Sequence, residues 1–337
     1  MLVVVLILTM GALGGLAAFG VHRPAAARRS AIARATDPPT DRPDGPLVPA
    51  RGALLGAFVS TSGTGWAPAA VTERESELGR RLAIDHRFQN WTVAFPTPAD
   101  HWDARSGRIP MVTWQPDSTS LAAIASGRED AVIRARAAAV HDFGQPMFLR
   151  FAHEMNADWY RWSGARIHAS GDADPGATYV AAWRHVHDLF VAAGATNAVW
   201  VWSPNRTSIP ATPWNAAARY YPGDAYVDWV GIDGYDRDRV HRRSFATLFG
   251  PLYDAFAGRK PIMIGETATV EGASPAAKAA WIADVHRVAT TRFPAVAAVV
   301  WFDARKGPFD WRIDSSPAAF AAFRALASDP YFAVRAG

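Results

Sequence analysis

From Leu54 to the C-terminus, short and almost purely apolar runs alternate with longer segments of helical period, and this alternation constrains the fold more than any other feature. The strand-like runs cover residues 54–59, 82–86, 109–114, 146–151, 198–202, 226–232, 261–265 and 296–302. Helical patterns fall at 73–81, 118–143, 178–193, 245–257, 275–293 and 317–327, with the second and fifth connections less regular. Runs that are apolar at every position are what a strand needs when both of its faces are covered. Eight such β/α units within residues 52–337 predict an α/β fold in which a parallel sheet closes on itself, the (β/α)8 or TIM barrel. No Gly-x-Gly-x-x-Gly or phosphate loop stands at a strand exit, which argues against a nucleotide-binding open sheet.

The segment ahead of the barrel is of another kind. Leu2 to Val21 is an uncharged apolar run, long enough to span a bilayer as a helix and ending near the small-x-small triplet Ala18-Phe19-Gly20. Residues 1–21 are therefore read as a signal peptide or a transmembrane anchor, and the protein as exported, secreted or anchored facing the cell exterior. Residues 22–51, rich in Ala, Arg, Pro and Asp, read as a disordered linker. They hold six arginines against three aspartates, so most of the formal net charge of +4 sits there and the barrel is near neutral. No basic face for nucleic acid is expected, and membrane contact is expected only through the N-terminal segment. The absence of cysteine removes disulfides, thiolate metal sites and cysteine nucleophiles. No cofactor or metal is called for, and a monomer is expected.

In a (β/α)8 barrel the chemistry sits where the strands end. Here the exits read Trp114-Gln115-Pro116-Asp117, His153-Glu154, Trp202-Ser203-Pro204-Asn205, Asp233-Gly234-Tyr235-Asp236, Glu266 and Trp301-Phe302-Asp303. Carboxylates and flat rings thus converge on one rim. Indole and phenol rings cover the apolar faces of sugars, and carboxyl groups act on hydroxyls and glycosidic oxygens. Cleaving a glycosidic bond takes two carboxyl groups in different protonation states. Glu154 is the candidate acid/base, its pKa raised by Trp159 and the neighbouring carboxylate. Glu266 is the candidate nucleophile, with Tyr235 as its hydrogen-bond donor. Strands four and seven face each other across an eight-stranded ring, so the two exits can meet over one sugar.

Plainer readings stand beside these. Glu154 could be no more than an ion-pair partner of Arg150, and Glu266 a helix cap. Asp233, Asp236 and Asp303 serve equally well as hydroxyl ligands or as buried structural acceptors. A zinc helix would need a second histidine at position 157, which is Ala157.

His153-Glu154-Met155-Asn156 with Trp159, Ile232-Asp233-Gly234-Tyr235-Asp236 and Ile264-Gly265-Glu266, in this order, resemble glycoside hydrolase family 26 from about Leu54 to Trp311. That resemblance implies a retaining barrel glycosidase, β-mannanase-like, acting on β-mannan or a related β-linked polysaccharide such as β-1,3-xylan or mixed-linkage β-glucan. By position it implies Glu154 as acid/base and Glu266 as nucleophile, Tyr235 as the nucleophile's partner, and His153 as the histidine that orients the acid/base region, with His153 and Tyr235 also counted among the substrate contacts. It also implies Trp159 as a sugar contact and Trp301 as an aromatic platform. Trp114 and Asn205, at the exits of strands three and five, complete the expected substrate contacts. Many mannanases of that family carry Trp-His after strand three; here the pair is Trp114-Gln115, a departure that bears on sugar preference rather than on hydrolysis. Two other roles compete with a degradative one: a non-catalytic polysaccharide-binding barrel at the envelope, and a hydrolase trimming the host's own exopolysaccharide.

Overall fold

A computed structural model describes residues 42–60, 66–274 and 276–333. The apolar segment 1–21 and most of the expected linker lie outside these residues. Eight parallel strands follow one another around a ring: β1 (Leu54–Ser60), β2 (Ile84–Asn90), β3 (Ile109–Gln115), β4 (Met147–Phe151), β5 (Ala198–Trp202), β6 (Trp229–Asp236), β7 (Ile262–Thr269) and β8 (Val296–Lys306). β1 pairs with β8 over its whole length, so the sheet closes. A short antiparallel strand, β9 (Phe309–Asp310), folds back on the end of β8.

The connections are α1 (Pro68–Leu78), α2 (Pro98–Arg105), α3 (Leu121–Ala125), α4 (Asp130–Phe143), α5 (Gly164–Ala169), α6 (Pro175–Ala192), α7 (Phe245–Phe256), α8 (Ala277–Thr291) and α9 (Pro317–Ser328). The helix expected over 118–143 is two helices, broken where Gly127 takes φ 81°. After β5 the chain makes three 3-10 turns in place of a helix, which is why that connection shows no helical period. Side-chain caps fix several helix starts: Thr97 and Asp100 form a reciprocal capping box on α2, and Asp174, Ser244 and Ser316 cap α6, α7 and α9.

The strands sort their residues by parity. Outward side chains, among them Trp114, Leu149, Trp202, Ile264 and Trp301, pack with the inner faces of the helices in one continuous core. Inward side chains at the N-terminal ends (Leu54, Ile84, Met111, Phe148, Val201, Trp229, Met263, Val300) fill the floor of the barrel. Leu47 and Val48 pack against that floor, and Trp229 Nε1 donates to Pro46 O at 2.8 Å. Arg42 Nη1 donates to Gly52 O at 2.7 Å. Residues 42–51, assigned to the linker by composition, instead close the bottom of the barrel, because Leu47 and Val48 find apolar side chains to cover there.

Above the floor the inward positions turn polar: His86, Thr113, Arg150, Ser203 and Asp233, all buried. Glycines make room for them. A Cβ on Gly265 would stand 2.7 Å from Asp233 Oδ1 and 2.9 Å from Ser203 Oγ. The β6–β7 register slips at this point, from Ile232 opposite Ile264 to Asp233 opposite Glu266, so Gly265 is the extra residue of a bulge that re-aims Glu266. Gly265→Ala is expected to lower the urea midpoint by an amount worth about 1–3 kcal/mol, the range for overpacking a filled interior.

Candidate active site

The exit of β4 is built against the preference of its backbone. Ala152 and Glu154 both take positive φ, 44° and 51°, a region that costs non-glycine residues of order 1–3 kcal/mol and persists only where the surroundings enforce it. Here the enforcement is visible. Ala152 N donates to Trp114 O at 3.0 Å and Glu154 N to Ser203 O at 2.7 Å. Trp162 Nε1 donates to His153 O at 2.7 Å, and Asn156 exchanges hydrogen bonds with the backbone of Asn205, both at 2.8 Å. The turn that follows strand four is thereby fastened to strands three and five, and the Glu154 carboxyl is held at the mouth.

Glu266 enters from β7 across the same cleft, whose walls are Glu154, Trp159, Tyr160, Tyr235, Arg237, Glu266, Lys306 and Trp311. Its Oε2 accepts from the Tyr235 hydroxyl at 2.5 Å, and its Oε1 from Arg150 Nη2. The Arg150 guanidinium is fully buried and fully used. Nη1 donates to both oxygens of Asp233 at 2.8 Å, and Nε donates to Thr113 Oγ1 at 2.8 Å. Arg150 thus joins β3, β6 and β7 to β4, and its partners are Asp233 and Glu266 rather than Glu154.

Glu154 receives a different environment. Its Oε2 accepts from Trp159 Nε1 at 2.8 Å. Burial and then the Glu266 charge push its pKa up to about 7, against the opposing pull of the Trp159 hydrogen bond and of Arg150. His153 is driven well below the ordinary histidine value by burial and by Arg150, and is neutral. The result is a protonated carboxyl facing a carboxylate bound to a guanidinium and a phenol, the division of roles that acid-assisted displacement at a glycosidic carbon requires.

The expected contacts separate by strand parity. Trp159 is half-exposed at the mouth, and Tyr235 lines the cleft with its ring stacked on Trp311 at 4.5 Å. Asn205 lines the adjoining groove, with its amide nitrogen donating to Thr207 O at 2.6 Å. Three expected sugar contacts are corrected. Trp114 points outward, is fully buried, and stacks on Trp91 at 4.1 Å. Trp301 points outward onto Trp281 of α8 and Phe323 of α9, with Nε1 donating to Trp311 O at 2.9 Å. His153 is fully buried beneath the cleft, its Nε2 3.1 Å from the Tyr160 hydroxyl and 3.9 Å from Glu266 Oε1. Asp236 and Asp303 are structural, held by Thr269 and by Arg74 respectively. Tyr160, Trp311, Arg237 and Lys306 line the cleft without having been singled out. Trp311 lies in the hairpin after β8, where no periodicity marks it. Among the described residues, no group of three or more His, Asp or Glu is placed to hold a metal ion.

Fold and site together define a barrel of the glycoside-hydrolase kind, with carboxyl groups from strands four and seven meeting in one aromatic-walled cleft. The family model for glycosyl hydrolase family 26 matches residues 91–314. Endoglucanase H of Acetivibrio thermocellus is 37% identical over 281 residues, which is 81% of this chain and 30% of that protein. A mannan endo-1,4-beta-mannosidase of Bacillus subtilis (strain 168) is 31% identical over 96 residues, 28% of this chain and 25% of that protein. The solved GH26 β-mannanase from Bacteroides ovatus shares the fold with a TM-score of 0.58 at 18% identity, covering 83% of this chain and 90% of that one. The chain belongs to glycosyl hydrolase family 26. It spans less than a third of the length of Endoglucanase H.

Arg150→Met leaves Asp233 and Glu266 buried without their cation, so its expected cost is about 3–5 kcal/mol of stability. In a double-mutant cycle, Asp233→Asn is expected to recover part of that loss, as read by urea unfolding; additive effects would deny the coupling.

Proposed function

We propose that this protein is a retaining endo-acting β-glycoside hydrolase, with Glu154 as acid/base and Glu266 as nucleophile. The observation that carries the reading is the contrast between the two carboxyl groups in one cleft: Glu154 raised to about 7 by burial and Glu266, and Glu266 gripped by Arg150 and Tyr235. Glu154 gives its proton to the glycosidic oxygen as Glu266 attacks the anomeric carbon. The glycosyl–Glu266 ester is then hydrolysed by a water that gives its proton back to Glu154. Trp159 and the Tyr235–Trp311 stack supply flat faces for neighbouring sugars.

The substrate we assign is a β-linked polysaccharide backbone of the mannan or mixed-linkage glucan class. A preference for glucan within that class is favoured by two observations. The long match to a protein named Endoglucanase H covers 81% of this chain, and Gln115 ends β3 where the resemblance to mannanases implies histidine. An exported location, secreted or tethered by residues 1–21, accords with a polymeric substrate and is part of this proposal.

Hydrolysis of β-mannan, β-1,3-xylan and mixed-linkage β-glucan by wild type and variants tests these roles. Glu154→Ala is expected to lose about 10²–10⁴ in rate, and Glu266→Ala at least as much. The first product seen by proton NMR is expected to be the β-anomer; an α-anomer would remove Glu266 from the nucleophile's role. Because Glu154 acts as an acid, kcat/KM is expected to fall as pH rises through about 7. Trp159→Phe removes a hydrogen bond that favours the charged form, so the alkaline limb is expected to move to higher pH. A limb that stays in place would mean that Trp159 does not tune Glu154.

A further inference from the structure

Beside the catalytic cleft, and sharing Trp159, Tyr235 and Arg237 with it, runs a second groove of about 490 Å³ at the exits of β5 and β6. Four arginines line it: Arg206, Arg237, Arg239 and Arg243. A barrel that is near neutral as a whole has concentrated its positive charge at one edge of its mouth.

One carboxylate, Asp238, lines the same groove, so the arginines outnumber the acids there by four to one. Among the described residues, no carboxylate lies within ion-pair distance of any of the four. The two acids of the same segment are engaged elsewhere by hydrogen bonds, and Asp238 offsets only part of the positive charge. Asp238 Oδ1 accepts from the backbone of Val240 and His241 at 2.9 and 2.8 Å, and Asp236 is taken up by Thr269 and Arg242. Several exposed arginines elsewhere are paired, as Arg219 with Asp174, Arg259 with Asp224 and Arg292 with Asp254. Crowding also has an electrostatic cost here: Arg206 is held below the ordinary arginine value by burial and by the charges of Arg243 and Arg237. Arg237 lies beside the aromatic wall, its guanidinium carbon 5.6 and 5.7 Å from the ring centres of Tyr235 and Trp311. Exposed and without an ion-pair partner, its guanidinium fork is available to a planar or tetrahedral anion.

Arginine can donate to the hydroxyls of a neutral glycan, but four arginines against one carboxylate give a net positive field that only an anionic ligand exploits. We propose that this groove is a subsite for anionic groups, and that the polysaccharide cleaved carries carboxylate or phosphate substituents within a few sugars of the scissile bond. The proposal rests on the reading of the adjacent cleft as a glycan-cleaving site and adds the chemical class of the chain it takes. An anionic exopolysaccharide is the kind of polymer it fits.

The test separates binding from turnover. Binding of wild type is measured by affinity electrophoresis through one β-glucan in three forms (neutral, carboxymethylated and phosphorylated), and hydrolysis of each form is followed in parallel. Two triple variants are compared: Arg206→Gln/Arg239→Gln/Arg243→Gln in the groove, and Arg105→Gln/Arg128→Gln/Arg324→Gln, which removes the same charge from exposed positions outside it. The proposal expects wild type to bind at least one charged form about tenfold or more tighter than the neutral one. That advantage is expected to disappear in the groove variant and to persist in the control; which charged form gains identifies the anion. Equal binding of all three forms by wild type, or the same loss in both variants, overturns it. Cleavage of neutral glucan with no anionic preference would sink the subsite and leave the hydrolase standing. Groove-dependent binding with no cleavage of any form would do the reverse.

Discussion

Everything at the mouth of this barrel is arranged around one buried guanidinium. Arg150 projects inward from β4 just above the apolar floor, and its donors reach Thr113 on β3, Asp233 on β6 and Glu266 on β7. A fully buried cation is tolerable only when its charge and its N–H groups are met, and these partners meet both demands. The same contacts make the guanidinium a cross-brace that sets where Glu266 stands relative to β4, the strand that carries Glu154. Position and charge are therefore fixed by one side chain.

The brace also explains why the two glutamates differ. Two carboxylates, Asp233 and Glu266, already share the single cation within bonding distance. The buried histidine beside them, His153, is neutral and contributes no second positive charge. A third carboxyl group brought into this space meets desolvation and a negative neighbour with no cation left to pair with, and it keeps its proton to about pH 7. The positive-φ turn at Ala152 and Glu154 is the backbone cost of bringing that third carboxyl close. It is met by the hydrogen bonds that Trp162 and Asn156 donate and by those that the backbone of Ser203 and Trp114 accepts from Glu154 and Ala152.

The eight strands were legible because barrel strands covered on both faces leave uninterrupted apolar runs. Their C-terminal ends were less so. β6 and β7 continue through Asp233–Asp236 and Glu266–Thr269, where inward polar side chains break the apolar signal while the ladder goes on. The glutamate pair was readable as carboxylates at strand exits, and Tyr235 from its place after strand six. Trp114 and Trp301 were misplaced for one reason: side-chain direction alternates along a strand. An aromatic one residue away from the inward set packs under a helix instead of facing the substrate. Phe302, stacked on Phe58 at 4.8 Å inside the barrel, is the inward neighbour of Trp301. Arg150 carried a signal of its own, an arginine in the middle of a short buried strand, a place where such a residue must have a carboxylate partner.

The cations at the mouth complete the electrostatic account. Arg150 is saturated by its two carboxylates, so it offers nothing to an incoming ligand. Lys306, with Arg237 in the wall of the same cleft, opposes the rise in Glu154's pKa. Burial and Glu266 outweigh that opposition because Glu154 is desolvated beside a negative charge, whereas Arg237, Arg239 and Arg243 stand exposed at the rim, where water screens them. The barrel can thus carry a strongly positive edge within reach of its substrate without discharging the acid that its chemistry needs. Depth separates the two functions: the charges that dominate protonation, Glu266 and Arg150, are buried and paired, and those free to meet a polymer stand exposed at the rim.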